Sequence, residues 1–151
     1  IKEGTLSLEN GALTAGNFVV DMTTIKDLDI TDEQKNKDLV GHLASADFFT
    51  VDSFPTSTYA ITSVKALEGK PEATHEISGN LTIKGVSRQI TFPAKVTLNE
   101  DKSQLTATAK FVIDRTEWGV VYGSAESIGD QAKDKIIGDE IEFNINLVAK
   151  K

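Results

Sequence analysis

The stretch Ser87-Arg88-Gln89-Ile90-Thr91-Phe92-Pro93-Ala94-Lys95-Val96-Thr97-Leu98 decides the fold of this chain. Ile90, Phe92, Ala94, Val96 and Leu98 fall on one parity, and Gln89, Thr91, Lys95 and Thr97 fall on the other. Side chains of an extended strand point alternately to opposite faces, so this spacing gives one apolar face and one wet face. Two further stretches repeat the pattern. Gln104–Ile113 sets Leu105, Ala107, Ala109, Phe111 and Ile113 on one parity, and Glu140–Ala149 sets Ile141, Phe143, Ile145, Leu147 and Ala149 against Glu142, Asn144 and Asn146. Strands with one buried and one solvated face are the habit of antiparallel sheets. Weaker alternation runs through Gly4–Leu8, Asn17–Ile25, Tyr59–Leu67 and Glu76–Ile83, and short polar connectors at Lys84-Gly85 and Asn99–Lys102 predict hairpins.

One segment departs from period two. Thr31-Asp32-Glu33-Gln34 has the form of a capping box with Thr31 as N-cap, and Leu39, Val40 and Leu43 follow at helical spacing, which predicts a helix over 32–44. Gly123–Gly138, rich in Gly, Ser, Asp and Lys, reads as a long loop or a short helix. Strands resume on both sides of each segment, so a single domain is expected over 1–151. The length of 151 residues, with 39% hydrophobic and 26% charged residues, fits one folded domain with its own core. Seven or so strands with one helical insertion fold as a sandwich or a barrel, and the scarcity of inward charges and prolines as edge protection fits closure. A barrel of roughly eight strands fills its interior with side chains or holds one small apolar ligand.

The absence of cysteine excludes disulfides, thiolate metal sites and cysteine nucleophiles. A net charge of −7 argues against duplex nucleic acid as a partner and against an anionic membrane surface. The apolar runs are far too short for a transmembrane segment. His42 and His75 lie far apart in sequence without metal-ligand spacing, and no nucleophile elbow, phosphate loop or dinucleotide fingerprint occurs, so neither a metal site nor a catalytic residue is expected. Between Asp21 and Asp52 eight carboxylates face three lysines, which reads as a solvated face. The chain opens at Ile1 without an initiator Met, which reads as a processed or incomplete start.

Only two arginines occur, Arg88 and Arg115, and each continues the apolar parity of its strand toward the same end of the sheet. Two guanidinium groups there hold a polar or anionic head group in one reading, and form rim ion pairs with Asp114 or Glu117 in the other. The aromatics are equally two-sided: they are packed core or the wall of a cavity. The small residues Ala94, Ala107 and Ala109 on the inward parity leave room and tilt the balance toward a cavity.

Several strings together resemble the YceI-like family. They are Gly16-Asn17-Phe18-Val19-Val20-Asp21-Met22 followed by Ile25, His42-Leu43 with Ser45-Ala46-Asp47-Phe48-Phe49, and Phe54-Pro55. Downstream come Gly79-Asn80-Leu81-Thr82-Ile83-Lys84-Gly85-Val86, Ile90-Thr91-Phe92-Pro93, and Ile113-Asp114-Arg115 with Trp118-Gly119-Val120. The resemblance implies a mainly β, lipocalin-like antiparallel barrel of about eight strands with one helical insertion. It implies a non-enzymatic carrier or store of a long isoprenoid lipid, a polyprenyl chain or an isoprenoid quinone, in the periplasm or secreted, with no cofactor beyond that lipid. On that expectation Arg88, Arg115 and Trp118 face the head group. Phe18, Val20, Met22, Phe48, Phe49, Phe92, Phe111, Ile113, Phe143 and Ile145 form the wall. In one respect the chain departs from the pattern: family members have a further strand before the one matching Gly4–Leu8. The expectation is that this strand belongs to the whole protein; without it an open seam exposes an edge or invites strand exchange in a homodimer. The competing expectation is a filled barrel acting as a structural or protein-interaction domain.

Overall fold

The computed structural model describes residues 1–128 and 136–151. Seven strands form one sheet in sequence order: β1 (Glu3–Glu9), β2 (Ala12–Asp21), β3 (Thr56–Ala66), β4 (His75–Ile83), β5 (Val86–Leu98), β6 (Gln104–Asp114) and β7 (Glu140–Lys150). Each is antiparallel to the next, and the sheet curls into a half-barrel. The mainly β, antiparallel, lipocalin-like class expected from the sequence is therefore what the chain adopts, with seven strands among the described residues where about eight were expected.

The turns show why the strands pair as they do. At Lys84-Gly85 both residues have positive φ (51° and 75°), the left-handed pair that a two-residue hairpin turn needs to match strand twist. Asn10-Gly11 repeats it (53° and 85°) between β1 and β2, so β2 begins at Ala12 rather than at Asn17. At its far end β2 stops at Asp21, whose carboxylate accepts the Thr23 N–H at 3.0 Å and caps a 3-10 turn over Met22–Thr24. The long connection from β2 to β3 carries helix α1 (Glu33–Ala44). Its N-cap is Asp32 and not Thr31: the Asp32 carboxylate accepts the Lys35 N–H at 3.0 Å, and Gln34 donates forward to Asp38 at 2.8 Å instead of reaching back. A carboxylate at this place satisfies a free helix N–H and faces the positive end of the helix dipole, which a threonine does less well. The Gly123–Gly138 stretch opens with a short helix α2 (Ala125–Ile128), and its middle, 129–135, lies outside the described residues.

Register sets the interior. Ile77, Phe92, Phe111 and Phe143 lie opposite one another or on one parity across β4 to β7, and Phe18, Tyr59 and Leu81 form a parallel row across β2 to β4. Register shifts between Ser7 and Leu8 and between Ile61 and Ser63 mark bulges, which bend a strand and increase its twist. One end of the trough is closed. Leu81, Ile83, Ile113 and Trp118 form a buried cluster there, and the Trp118 indole N–H donates to the Leu81 carbonyl at 2.9 Å. Phe48, Val51 and Val120, from the two long connections, are buried beside the strands at the same end of the chain trace. Toward the other end, made by the tight β1–β2 and β5–β6 turns and the end of β7, Leu13, Ile77, Phe92, Ala94 and Leu105 form a second buried cluster, with Leu6, Leu98 and Ala149 packed against it.

The two edges stay apart: among the described residues β1 pairs only with β2, and β7 only with β6. Strands that alternate in direction leave the first and seventh pointing the same way. Direct closure would then need a parallel ladder, the weaker pairing, whereas one antiparallel strand would complement both edges.

Candidate functional site

A cleft of about 1020 Å³ opens between the β1 and β7 edges at the end of the sheet that carries the β5–β6 hairpin. Leu6 and Leu8 of β1, Phe18 of β2, Leu98 and Leu105 at the β5–β6 hairpin, and Leu147 and Ala149 of β7 line it. These residues meet because each sits on the inward parity of its strand: Leu98 lies opposite Leu105, and Leu105 opposite Ala149. The five inward residues of β7 (Ile141, Phe143, Ile145, Leu147 and Ala149) are half-buried: Ile141 and Phe143 pack against the Trp118 cluster and Ala149 against the Leu13–Leu105 cluster.

Deeper in the trough stands a row of rings. Phe92 and Phe111 stack with centroids 4.2 Å apart, Phe111 and Phe143 at 5.0 Å, and Tyr59 leans on Phe92 at 5.7 Å. Such pairs add roughly 0.5–1.5 kcal/mol each beyond their buried area. Tyr59 on β3 reaches Phe92 on β5 only because Gly79 on the strand between them has no side chain. A Cβ at Gly79 would stand 2.6 Å from the Tyr59 Cζ and 2.5 Å from the Ala60 carbonyl oxygen. The Tyr59 hydroxyl is buried with no hydrogen-bond partner among the described residues, and burial pushes its phenol up to about 12. It is a neutral donor on an otherwise apolar floor.

The expected wall residues divide into three groups. Phe18 lines the cleft, Phe92, Phe111 and Phe143 form the ring row, and Ile145 follows on the inner face of β7. Ile113 and Trp118 belong to the cap, 5% and 1% exposed, while Phe49 packs against the cap cluster and Phe48 is buried in the same connection. Val20 is exposed near the end of β2, and Met22 stands in the 3-10 turn beyond it.

The arginines differ from one another. Arg88 is exposed, and its Nε donates to the Glu117 carbonyl at 3.1 Å, so it does reach the end of the sheet where the Arg115–Trp118 turn sits. Arg115, placed by the sequence reading at a ligand mouth or a rim pair, has a side chain only 3% exposed. It donates to the carbonyls of Gly138 (3.1 Å), Val120 (2.6 Å) and Ile137 (3.0 Å) and to the Asp139 carboxylate (2.9 Å). Its ion-pair partner is Asp139 rather than Asp114 or Glu117. Asp114 instead accepts from the Thr116 hydroxyl and backbone N–H, and these two bonds hold its carboxyl below the usual range. Parity alone could not supply Arg115's partners, because they come from a connection that follows β6 and folds back over its end. The Trp118 indole N–H is likewise committed, to Leu81.

The cleft also contains side chains that the sequence reading did not select: Leu98, Leu105, Leu147, Lys102, Lys150 and Lys151. Their signal was present, since the apolar parity of β5, β6 and β7 runs on toward this end and antiparallel pairing sets Gln104 opposite Lys150.

A family model described as YceI-like domain matches residues 1–149. The chain is 33% identical over 94 residues to Protein YceI of Salmonella arizonae and, with the same figures, to that of Salmonella newport. The matched stretch is 62% of this chain and 44% of those relatives' own length, so the chain spans less than half of the curated relatives it matches. In three dimensions it is similar to Burkholderia cenocepacia BcnA, with a TM-score of 0.73 and 21% identity over 98% of this chain and 83% of that one. It is also similar to the Campylobacter jejuni YCEI protein, with a TM-score of 0.70 and 18% identity over 99% of this chain and 82% of that one. Likeness at these identities concerns the fold, while the family model spans nearly the whole chain: this chain belongs to the YceI-like family.

Proposed function

We propose that this chain binds a long apolar isoprenoid lipid, a polyprenyl chain or an isoprenoid quinone, in the trough of its half-barrel and carries or stores it without chemical change. The observation that supports this reading most directly is the half-buried apolar wall of β7 beside a cleft of about 1020 Å³. That volume is at the upper end of the roughly 300–1,000 Å³ usual for ligand sites. Apolar surface left against water costs free energy, and a prenyl chain laid along it recovers roughly 0.8 kcal/mol per buried CH₂. Membership of the YceI-like family supports the same reading. In this proposal Phe18, Phe92, Phe111, Phe143 and Ile145 contact the chain, and Ile113, Phe48, Phe49 and Trp118 close the end behind it. The same reading puts the protein in the periplasm or outside the cell.

The test is organic extraction of protein purified from a bacterial host, followed by mass spectrometry of the organic phase. A prenyl lipid at about one molecule per chain is the expected result. A lipid-free extract from folded protein that also takes up no apolar fluorescent probe would refute the carrier reading in favour of a filled structural domain.

A further inference from the structure

β5 is a central strand of the sheet, yet it carries Pro93 in its interior. Proline has no backbone N–H to donate, and within sheets it is confined to edges and irregular places. The hydrogen bonds around Pro93 show which neighbour it fails. The Val96 N–H donates to the Thr74 hydroxyl at 2.9 Å, and the Ala94 carbonyl accepts the Thr74 N–H at 3.0 Å, so even-numbered residues here turn their backbone groups toward the β4 side. The Asn99 N–H donates the other way, to the Gln104 carbonyl at 3.0 Å, so odd-numbered residues face β6. Pro93 is odd, and the rung it would make with β6 has no donor.

The ladder stops there. β5 and β6 pair from Ala94↔Ala109 to Leu98↔Leu105, at the hairpin end only. Among the described residues β5 then runs back to Val86 paired with β4 alone, and β6 runs on to Asp114 paired with β7 alone. Along this half Ser87, Gln89, Thr91 and Val112 are exposed, and so is Arg88, although it lies on the inward parity of β5. What spans the split, among the described residues, is one hydrogen bond from Arg88 Nε to the Glu117 carbonyl and, behind it, apolar packing in which Phe92 stacks on Phe111. On the outer face a hollow of about 370 Å³ lies where the ladder ends. Pro93, Lys110 and Asn144 line it, and so do Ala109 and Ile145, which are inward by parity.

We propose that the split between β5 and β6 is a side portal, through which an apolar chain passes from outside to the ring row when the rings of Phe92 and Phe111 part. The inference rests on the lipid-carrier reading and adds to it the route of entry. The Ala94–Ala109 rung bounds this window at one end, and the Arg115–Trp118 turn, held by Arg88, bounds it at the other. Parting the strands here breaks no ladder bond, whereas parting β4 from β5 or β6 from β7 at the same level breaks a continuous one. Local opening is drawn from places with few bonds and exposed backbone. The two rings are the seal, and they are also the first apolar surface that an entering chain meets.

The chain has no cysteine, so an introduced pair supplies the only thiols. Continuing the register that Ala94 and Ala109 set places Thr91 opposite Val112 across the window, both exposed. A Thr91→Cys, Val112→Cys variant is joined by a short bis-maleimide. A Thr97→Cys, Thr106→Cys variant, joined in the same way within the laddered half, is the control. Uptake and release of a dansylated farnesyl probe are followed by energy transfer from Trp118, the single tryptophan. Joining positions 91 and 112 should slow uptake and release together by about tenfold or more and leave affinity as it was, because a blocked route changes rates and not the bound state. The joined control should exchange like the wild type. Pro93→Thr, which restores the missing N–H and suits a strand, should slow exchange in the same sense without a linker. Exchange at the unlinked rate with 91 and 112 joined, or at the wild-type rate in Pro93→Thr, overturns the portal and leaves the carrier reading standing. Equal slowing in the joined control overturns it as well, as does slower uptake with unchanged release, the mark of a damaged site. A wild type that takes up no probe refutes the carrier reading and this inference together.

Discussion

Arg115→Ala should destabilise the fold by about 3 kcal/mol, through the carbonyls it abandons more than through the ion pair it breaks. The Arg115 side chain is 3% exposed and directs four hydrogen bonds, three of them to backbone carbonyls of Val120, Ile137 and Gly138. Val120 is 1% exposed, so water cannot easily replace the donor at its carbonyl, and a buried acceptor left unpaired costs roughly 1–3 kcal/mol. Ile137 and Gly138 are exposed and can turn to solvent, which keeps their share small. The guanidinium also lies 6.0 Å from the Phe48 ring centroid, a contact worth roughly 0.5–1 kcal/mol. Asp139 is 31% exposed and regains water when the arginine goes, so the pair itself contributes little. At roughly 2–4 °C per kcal/mol for a chain of this size, the melting temperature should drop by about 6–12 °C. Circular dichroism melts of three variants separate the causes. Arg115→Ala should lose the full amount, Arg115→Lys part of it because an ammonium cannot span three carbonyls, and Asp139→Asn less than about 1 kcal/mol because its oxygen still accepts. An Arg115→Ala protein melting within a degree of wild type while losing selectivity for anionic lipids would refute the reasoning and return Arg115 to a ligand mouth. Equal losses for Arg115→Ala and Asp139→Asn would show that the ion pair dominates instead.

Gly79→Ala should cost about 2 kcal/mol or more, because its Cβ would fall 2.5 Å from the Ala60 carbonyl oxygen, a backbone atom fixed by the sheet, and 2.6 Å from Tyr59. A melting temperature and near-ultraviolet aromatic spectrum like those of wild type would count against the ring row as drawn. Tyr59 should ionise only near pH 12 in the folded protein, up from 10.0, because burial disfavours its phenolate. The unfolded chain releases that proton first, so stability should fall as pH rises from about 10 to about 12, a slope that Tyr59→Phe removes. Phenolate absorbance followed against pH, alongside melts at each pH, checks both; a Tyr59→Phe protein with the same alkaline slope would show that another group is responsible.

What the sequence made legible follows the strength of its two-residue period. β5, β6 and β7 were read almost to the residue because apolar and polar side chains alternate from Ile90 to Leu98, Leu105 to Ile113 and Ile141 to Ala149, interrupted only by the outward Pro93, Val112 and Val148. β2 was read from Asn17 onward because Thr14, Ala15 and Gly16 carry almost no contrast between faces, although the Asn10-Gly11 turn marks its start. The helix was placed to within a residue, and its cap was missed because threonine and aspartate both fit the position; only the Asp32–Lys35 bond decides between them. Arg88 and Arg115 were rightly sent toward one end of the sheet. What parity could not reveal is that the connection after Arg115 doubles back and wraps its carbonyls around the guanidinium.

The shape of the trough was half visible in the same way. Along the inner face, residue size dips in the middle of β5 and β6 and rises again where Leu98 meets Leu105. Beyond the rings of Phe92, Phe111 and Phe143, the next row pairs Ala94 with Ala109, and the one after pairs Val96 with Ala107. Small residues on a curled sheet leave space that the opposing wall must fill. Among the described residues β1 and β7 run parallel to each other and remain unpaired. Alternation told which face of β7 is apolar, but not that nothing described in the chain lies across it. That depends on the number of strands and their directions, a property of the whole sheet and of no single segment. The outcome is a trough sealed behind Trp118 at one end and opening between the β1 and β7 edges beside Leu98 and Leu147 at the other.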